Sequence, residues 1–212
     1  MKTILCFGDS NTHGSPPSEV GKTNPRYGKE HRWPDVMAGI LGDDFDVIAE
    51  GLPGRTTVHE DPLFGPGRSG ADILRPLLFS HAPINMLVIM LGTNDLKGQF
   101  RVRAVEIARS IERLIDITRA TGVCQDIAII APVPVKECGF FQEIYAGAEE
   151  RQAGLADKLA ELAYAQETGF VDAGRFVTVS VVDGVHWEPE GQIAFGRAMA
   201  EHVLTHCEKV SE

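Results

Sequence analysis

The chain has 212 residues, of which 43% are hydrophobic, and this is enough to bury the core of one ordinary domain. Its formal net charge of −10 at pH 7 disfavours attraction to nucleic-acid phosphates or to an anionic membrane surface. We therefore expect a single domain over residues 1–212 that acts on a neutral or small molecule, with no nucleic acid or membrane as partner.

The N-terminus leads straight from Met1-Lys2-Thr3 into a short apolar run and lacks the pattern of a signal peptide. No apolar run approaches the ~20 residues that a membrane-spanning helix needs. The cysteines, Cys6, Cys124, Cys138 and Cys207, are too scattered to suggest a zinc site or a disulfide scaffold. These features predict a cytoplasmic protein with reduced thiols.

Short apolar segments alternate with longer amphipathic ones. In chain order the sequence predicts strand 3–7, helix 34–41, strand 45–49, helix 69–80, strand 86–91, helix 103–120, strand 127–131, helix 143–166, strand 169–171 and helix 189–206. Apolar strands separated by amphipathic helices indicate a parallel sheet covered on both faces. The predicted fold is a three-layer α/β/α sandwich with about five parallel strands. Its ligand site is expected at the carboxyl ends of the strands.

Three irregular stretches interrupt this alternation, at residues 8–32, 51–70 and 132–142. The first two are longer than most connections in a compact domain. Long loops that leave the carboxyl ends of strands often carry binding and catalytic residues. We therefore look for chemistry in these loops.

The first candidate is Gly8-Asp9-Ser10, directly after the first predicted strand. A serine hydroxyl at this position can attack a carbonyl carbon, and the serine's own N–H can stabilise the oxyanion that forms. The alternative is that Ser10 caps the start of a helix. Asp9 is expected to hold this turn through backbone hydrogen bonds.

The second candidate is Gly92-Thr93-Asn94-Asp95, which follows another predicted strand. The Asn94 amide can donate a hydrogen bond to the same oxyanion. These residues are also turn formers in their own right, so an ordinary turn is the alternative. Asp95 is expected to be an acid at a turn or at the start of a helix.

The third candidate is Asp183-Gly184-Val185-His186. An aspartate three residues before a histidine on a tight loop can bind Nδ1–H of the imidazole and leave Nε2 free as a general base. The alternative is a surface loop with a helix-capping acid.

Taken together and in this order, these blocks resemble the SGNH (GDSL-like) hydrolase superfamily, with Gly51-Leu52-Pro53-Gly54-Arg55-Thr56-Thr57 similar to its glycine block. The resemblance implies a flavodoxin-like sheet and catalytic roles for Ser10, Asp183 and His186. It also implies an oxyanion hole made of the Ser10 and Gly54 N–H groups and the Asn94 amide, with no metal and no organic cofactor.

The chain is most similar to the bacterial arylesterase/acyltransferase and carbohydrate acetyl esterase branch. The resemblance rests on the run from Ile4 to Ser10, on Arg55-Thr56-Thr57 and Asp61-Pro62, and on the strings ending at Asp95 and His186. It implies hydrolysis of short-chain aryl esters or of acetylated sugars or polyols. Acyl transfer or perhydrolysis through the same acyl-enzyme is the alternative. It further implies a homo-oligomer, in some members an octamer.

Asn11 and His13 occupy positions where the family commonly has Leu and, in the acyltransferase branch, Trp. These changes predict a more polar site and favour sugar or polyol esters over transfer in water. Further candidates for substrate contact are Pro53, Phe140, Phe141 and Trp187, and a role for His59 is left open.

Two other classes of function remain as remote alternatives. One is a phosphoester hydrolase or nucleotide-binding protein, which the absence of glycine-rich phosphate-binding motifs argues against. The other is a catalytically silent binding module, which the intact set of candidate residues argues against.

Overall fold

A single parallel sheet forms the centre of the fold. The computed structural model describes residues 1–19 and 26–210, with the side chains of residues 207–210, Cys207 among them, outside that description. The sheet has the order β2-β1-β3-β4-β5, which is the flavodoxin-like order. Its strands are β1 (Lys2–Gly8), β2 (Phe45–Gly51), β3 (Ile84–Met90), β4 (Cys124–Ala131) and β5 (Gly169–Asp172). The predicted fold class is confirmed.

Helices lie between successive strands and after the last one. They are α1 (Ser10–His13), α2 (Trp33–Leu41), α3 (Gly70–Ser80), α4 (Ala104–Arg119), α5 (Ala148–Arg151), α6 (Leu155–Ala165) and α7 (Pro189–Val210). Four predicted helices, at 34–41, 69–80, 103–120 and 189–206, match α2, α3, α4 and α7, although α7 continues four residues further. None of the helices in residues 1–19 and 26–210 combines the length and apolar character needed to cross a bilayer.

The prediction of one continuous helix over residues 143–166 is wrong. Two separate helices, α5 and α6, occupy this region, and each is preceded by a glycine in the left-handed conformation, Gly147 and Gly154, both with φ of 76°. A left-handed residue cannot continue a right-handed helix. The apolar spacing persists across these glycines, which is why the pattern alone suggested one helix.

The core has two layers because side chains alternate across the sheet. On β1, Leu5 and Phe7 pack with α3, α4 and α6, whereas Ile4 and Cys6 pack with α2 and α7 on the other face. Each buried large apolar side chain contributes roughly 1.5–3 kcal/mol. The two layers fix the sheet and therefore fix the positions of the loops at its carboxyl edge.

Candidate active site

The turn after β1 presents Ser10. Asp9 is the N-cap of α1, and its Oδ1 accepts a hydrogen bond from the Asn11 N–H at 2.9 Å. The alternative in which Ser10 is itself the cap is therefore wrong. Ser10 is instead the first helical residue, where backbone N–H groups have no partner within the helix. A Cβ on Gly8 would lie 2.0 Å from Thr12 Oγ1, so glycine is needed for α1 to rest on the strand end.

The loop before α7 brings together an aspartate and a histidine. Asp183 Oδ2 lies 2.6 Å from His186 Nδ1, and both side chains are buried. Gly184 between them has φ of 76°, a conformation that suits glycine. Because Asp183 occupies Nδ1, the imidazole nitrogen left for the cavity is Nε2.

Asp183 is held as a carboxylate acceptor. Its Oδ1 accepts the backbone N–H groups of Val185 and His186, each at 2.9 Å, and its Oδ2 also accepts the Ser18 N–H at 2.6 Å. Burial favours the neutral acid, but hydrogen bonds from His186 and Ser18, together with the charge of His186, hold the pKa of Asp183 below its ordinary value. The carboxylate therefore stays ionised and orients the imidazole.

Asn94 lies in the loop after β3, at the start of a short 3-10 helix (Asn94–Leu96). Its Nδ2 donates to the Arg55 carbonyl oxygen at 3.1 Å, and its Oδ1 accepts from the Tyr145 hydroxyl at 3.3 Å. The distance from Nδ2 to Asp9 Oδ2 is 3.5 Å, which is long for a hydrogen bond. Among the residues that the structure describes, the second N–H of the amide thus has no strong acceptor.

Buried side chains hold the glycine block against the strand ends. The Arg55 guanidinium lies 4.3 Å from the centroid of the Phe7 ring and donates to the carbonyl oxygens of Gly8 and Glu50. Gly54 adopts φ of 82°. These contacts place the Gly54 backbone beside the turn that carries Ser10.

Asp95 lies in the first turn of the 3-10 helix Asn94–Leu96, as predicted, and it also links two loops. It is buried, and it accepts hydrogen bonds from the Thr57 N–H and from Thr57 Oγ1, the latter at 2.5 Å. Asp95 therefore ties the loop after the glycine block to the loop after β3. His59 stacks on Phe100 with ring centroids 5.2 Å apart and does not line the site.

These loops enclose a cavity of about 300 Å³. Four residues predicted to be catalytic or to form the oxyanion hole line it together: Ser10, Gly54, Asn94 and His186. Three predicted substrate contacts also line it, namely His13, Pro53 and Phe141. The remaining lining residues were not predicted: Ser15, Pro16, Ser18, Phe64, Lys97, Tyr145 and Val185.

Three predicted substrate contacts do not line the cavity. The Asn11 side chain is buried, and its Nδ2 donates to the Val185 carbonyl oxygen at 3.2 Å, so it supports the histidine loop. Trp187 is 1% exposed and packs edge-on against Phe195 in the α2 and α7 layer. Phe140 is 46% exposed and packs edge-on against Phe141. These positions correct the predictions for Asn11, Phe140 and Trp187.

Lys97 is the least expected lining residue. Its Nζ lies 2.7 Å from Asp61 Oδ2 and 3.5 Å from the centroid of the Phe64 ring, and both charged groups are buried. In the sequence, Lys97 stands just beyond the asparagine block and Asp61 belongs to the family-like Asp61-Pro62. No local sequence pattern predicts this ion pair, because Asp61 and Lys97 are 36 positions apart along the chain.

Metal-binding side chains do not converge in the part of the chain that the structure describes, where no three His, Cys, Asp or Glu residues form a site for an ion. The thiols of Cys6, Cys124 and Cys138 are free. The prediction that no cofactor is needed stays a prediction.

A parallel sandwich with a serine-bearing turn after β1 and a hydrogen-bonded aspartate–histidine pair before the last helix is an arrangement found in α/β/α hydrolases that act on esters. The chain belongs to the GDSL-like lipase/acylhydrolase family, whose sequence profile matches residues 6–193.

Solved structures agree with this assignment. The inhibitor-bound aryl esterase of M. smegmatis is 37% identical, with a TM-score of 0.91 over 97% of this chain and 99% of the other. A carbohydrate acetylesterase from Sinorhizobium meliloti is 34% identical, with a TM-score of 0.91 over 97% and 99%. A second carbohydrate acetylesterase family member from that organism is 38% identical, with a TM-score of 0.89 over 97% and 98%. No curated protein matches the sequence. The chain is a carboxylic ester hydrolase.

Proposed function

We propose that the chain hydrolyses short-chain carboxylic esters through an acyl-enzyme on Ser10. The observation that carries the proposal is the 2.6 Å contact between Asp183 and His186, on a histidine that lines the same cavity as Ser10. A serine beside a histidine whose Nδ1 is held by a carboxylate is the arrangement that activates a hydroxyl for acyl transfer.

The reaction proceeds in two matched steps. His186 Nε2 takes the Ser10 Oγ proton as Oγ bonds to the ester carbonyl carbon. The tetrahedral intermediate then breaks its bond to the alcohol, which leaves with the proton from His186. A water molecule attacks the acyl-enzyme, again giving its proton to His186. The acid is released as Ser10 Oγ regains that proton.

Three donors are available for the oxyanion: the N–H groups of Ser10 and Gly54 and the second N–H of the Asn94 amide. Loss of one such donor typically slows catalysis by about 100-fold or more. Asn94→Ala should therefore lower kcat by about 100-fold. A near-normal kcat would contradict the role given to Asn94.

The cavity supports an acetyl or similarly small acyl group on a polar alcohol. His13, Ser15 and Ser18 supply polar atoms on its wall, and His13 Nδ1 lies 3.1 Å from Ser15 Oγ. The similar structures named as aryl esterase and carbohydrate acetylesterase support aryl and sugar esters as substrates. His13→Phe should lower kcat/KM for acetylated sugars about fivefold, the value of one hydrogen bond, without lowering it for phenyl acetate. Absence of any sugar deacetylation by the wild type would remove this substrate class.

The direct test is release of p-nitrophenol from the acetate, butyrate and octanoate esters. The wild type should favour acetate, and Ser10→Ala should abolish the activity. Ser80→Ala, at the exposed end of α3, is the matched control and should behave as the wild type. Equal rates in wild type and Ser10→Ala would mean that Ser10 is not the nucleophile.

Transfer of the acyl group to an alcohol would use the same acyl-enzyme. Adding an alcohol acceptor to this assay and measuring the new ester shows how the acyl-enzyme divides between hydrolysis and transfer. A homo-oligomer, which the family resemblance implies, and a cytoplasmic location remain predictions. Sizing chromatography tests the first.

A further inference from the structure

Tyr145 is a buried polar side chain whose position the proposed reaction does not explain. Its side chain lies on the cavity wall, and the residue is only 3% exposed. The hydroxyl lies 3.3 Å from Asn94 Oδ1. Its ring packs edge-on to Phe141, with centroids 6.3 Å apart. The hydroxyl therefore contacts the non-reacting end of the amide that donates to the oxyanion.

The phenol acts as a donor in this contact. Burial and the nearby carboxylates, including Asp9 and Asp95, raise the pKa of Tyr145 well above its ordinary value. The hydroxyl keeps its proton throughout the neutral range. An amide oxygen can only accept, so the bond runs from Tyr145 to Asn94 Oδ1.

An asparagine amide has two ends of similar shape and opposite hydrogen-bonding character. If it rotated by half a turn, Oδ1 would point to the oxyanion and would repel it. Two contacts oppose that rotation: Nδ2 donates to the Arg55 carbonyl at 3.1 Å, and Oδ1 accepts from Tyr145. One contact holds each end of the amide.

We propose that Tyr145 is a positioning residue that fixes the Asn94 amide with its free N–H directed at the oxyanion. This inference rests on the proposed function, since it assumes that an oxyanion forms beside Asn94. Tyr145 itself contacts neither the transferred acyl group nor the proton in this scheme. Its effect passes through Asn94 alone.

The test is a double-mutant cycle on Tyr145 and Asn94, read as kcat and KM for p-nitrophenyl acetate. Tyr145→Phe keeps the ring and removes only the hydroxyl, and it should lower kcat about 3- to 10-fold, the value of one hydrogen bond, with KM within about twofold. In the Asn94→Ala background the same change should have no further effect on kcat. Tyr164→Phe, which alters a tyrosine that is 90% exposed, is the matched control.

Two results would overturn the proposal: an unchanged kcat in Tyr145→Phe, or an equal loss with and without Asn94. The thermal midpoint of Tyr145→Phe shows whether that variant folds. If it does not, Tyr145→Met takes its place and should show the same coupling to Asn94 in kcat. Failure of the proposed function is distinguishable, because Ser10→Ala would then keep its activity whatever the cycle shows.

Discussion

Replacing Asp183 by Asn tests the centre of the proposed site while changing few atoms. Asp183 Oδ2 accepts two hydrogen bonds, from His186 Nδ1 and from the Ser18 N–H, both at 2.6 Å. In Asp183→Asn one of the two carboxylate oxygens is replaced by an NH₂ group. With Oδ1 still accepting the Val185 and His186 N–H groups, that NH₂ faces Nδ1. The imidazole must then carry its proton on Nε2, where it cannot accept the Ser10 proton.

The expected loss in kcat is about 10⁴-fold, the size known for the wrong histidine tautomer in other serine hydrolases. The Ser18 N–H also loses its acceptor, which should lower the free energy of unfolding by about 1–3 kcal/mol. The loss of kcat and the loss of stability both follow from the NH₂ group that replaces Oδ2 in Asp183→Asn.

The assay is p-nitrophenyl acetate hydrolysis, with the fraction of reactive serine titrated by a phosphonate. Asp172→Asn is the matched control, because Asp172 likewise accepts a backbone N–H, from Gly174 at 3.0 Å, but does not line the cavity. It should retain wild-type kcat. A kcat for Asp183→Asn within about tenfold of the wild type would refute the tautomer argument.

Three further predictions follow from buried charges and backbone strain. Burial raises the pKa of Asp9 to about 6, so between about pH 4 and 6 the unfolded chain releases a proton that the folded chain keeps, and stability falls as the pH rises. Asp9→Asn should remove this decline, and above pH 6 its free energy of unfolding should exceed that of the wild type by up to about 3 kcal/mol. Urea denaturation midpoints of the two proteins that superimpose across pH 4–7 would contradict this. Asp61→Asn leaves the buried Lys97 ammonium unpaired and should cost about 3–5 kcal/mol, whereas Glu161→Gln, which breaks an exposed pair, should cost less than about 1 kcal/mol. Equal costs in chemical denaturation would show that burial does not matter. Gly184→Ala puts a Cβ 2.0 Å from a backbone carbonyl oxygen at φ of +76° and should reduce both kcat and the thermal midpoint; unchanged values would mean that the loop adapts freely.

Local sequence patterns predicted the layers of the fold well. All five strands and four of the long helices were found from apolar runs and helical spacing, because these periodicities report directly which face is buried. The helix over 143–166 failed because its apolar spacing runs through Gly147 and Gly154, and a spacing rule cannot sense a left-handed residue.

The site residues that lie in short local motifs were also predicted, whereas those defined by distant contacts were not. Ser10, Asn94, Asp183 and His186 stood out because each lies in a short motif next to a predicted element. Asn11 and Trp187 were wrongly predicted to contact substrate. Each is next in sequence to a residue that lines the cavity, but its own side chain points away from the cavity. Tyr145 and Lys97 were missed, because each matters only through a partner distant in the chain.

The sequence by itself determined the alternation of strands and helices, the family and the motifs of the candidate site. These depend on local conformation and on the burial of one face, which are encoded within a few residues. Only the tertiary structure decided the lining of the cavity, the Lys97–Asp61 pair and the contact from Tyr145 to Asn94. Those contacts form between residues 36 and 51 positions apart, and they exist because packing of the two core layers brings the carboxyl ends of parallel strands to one edge.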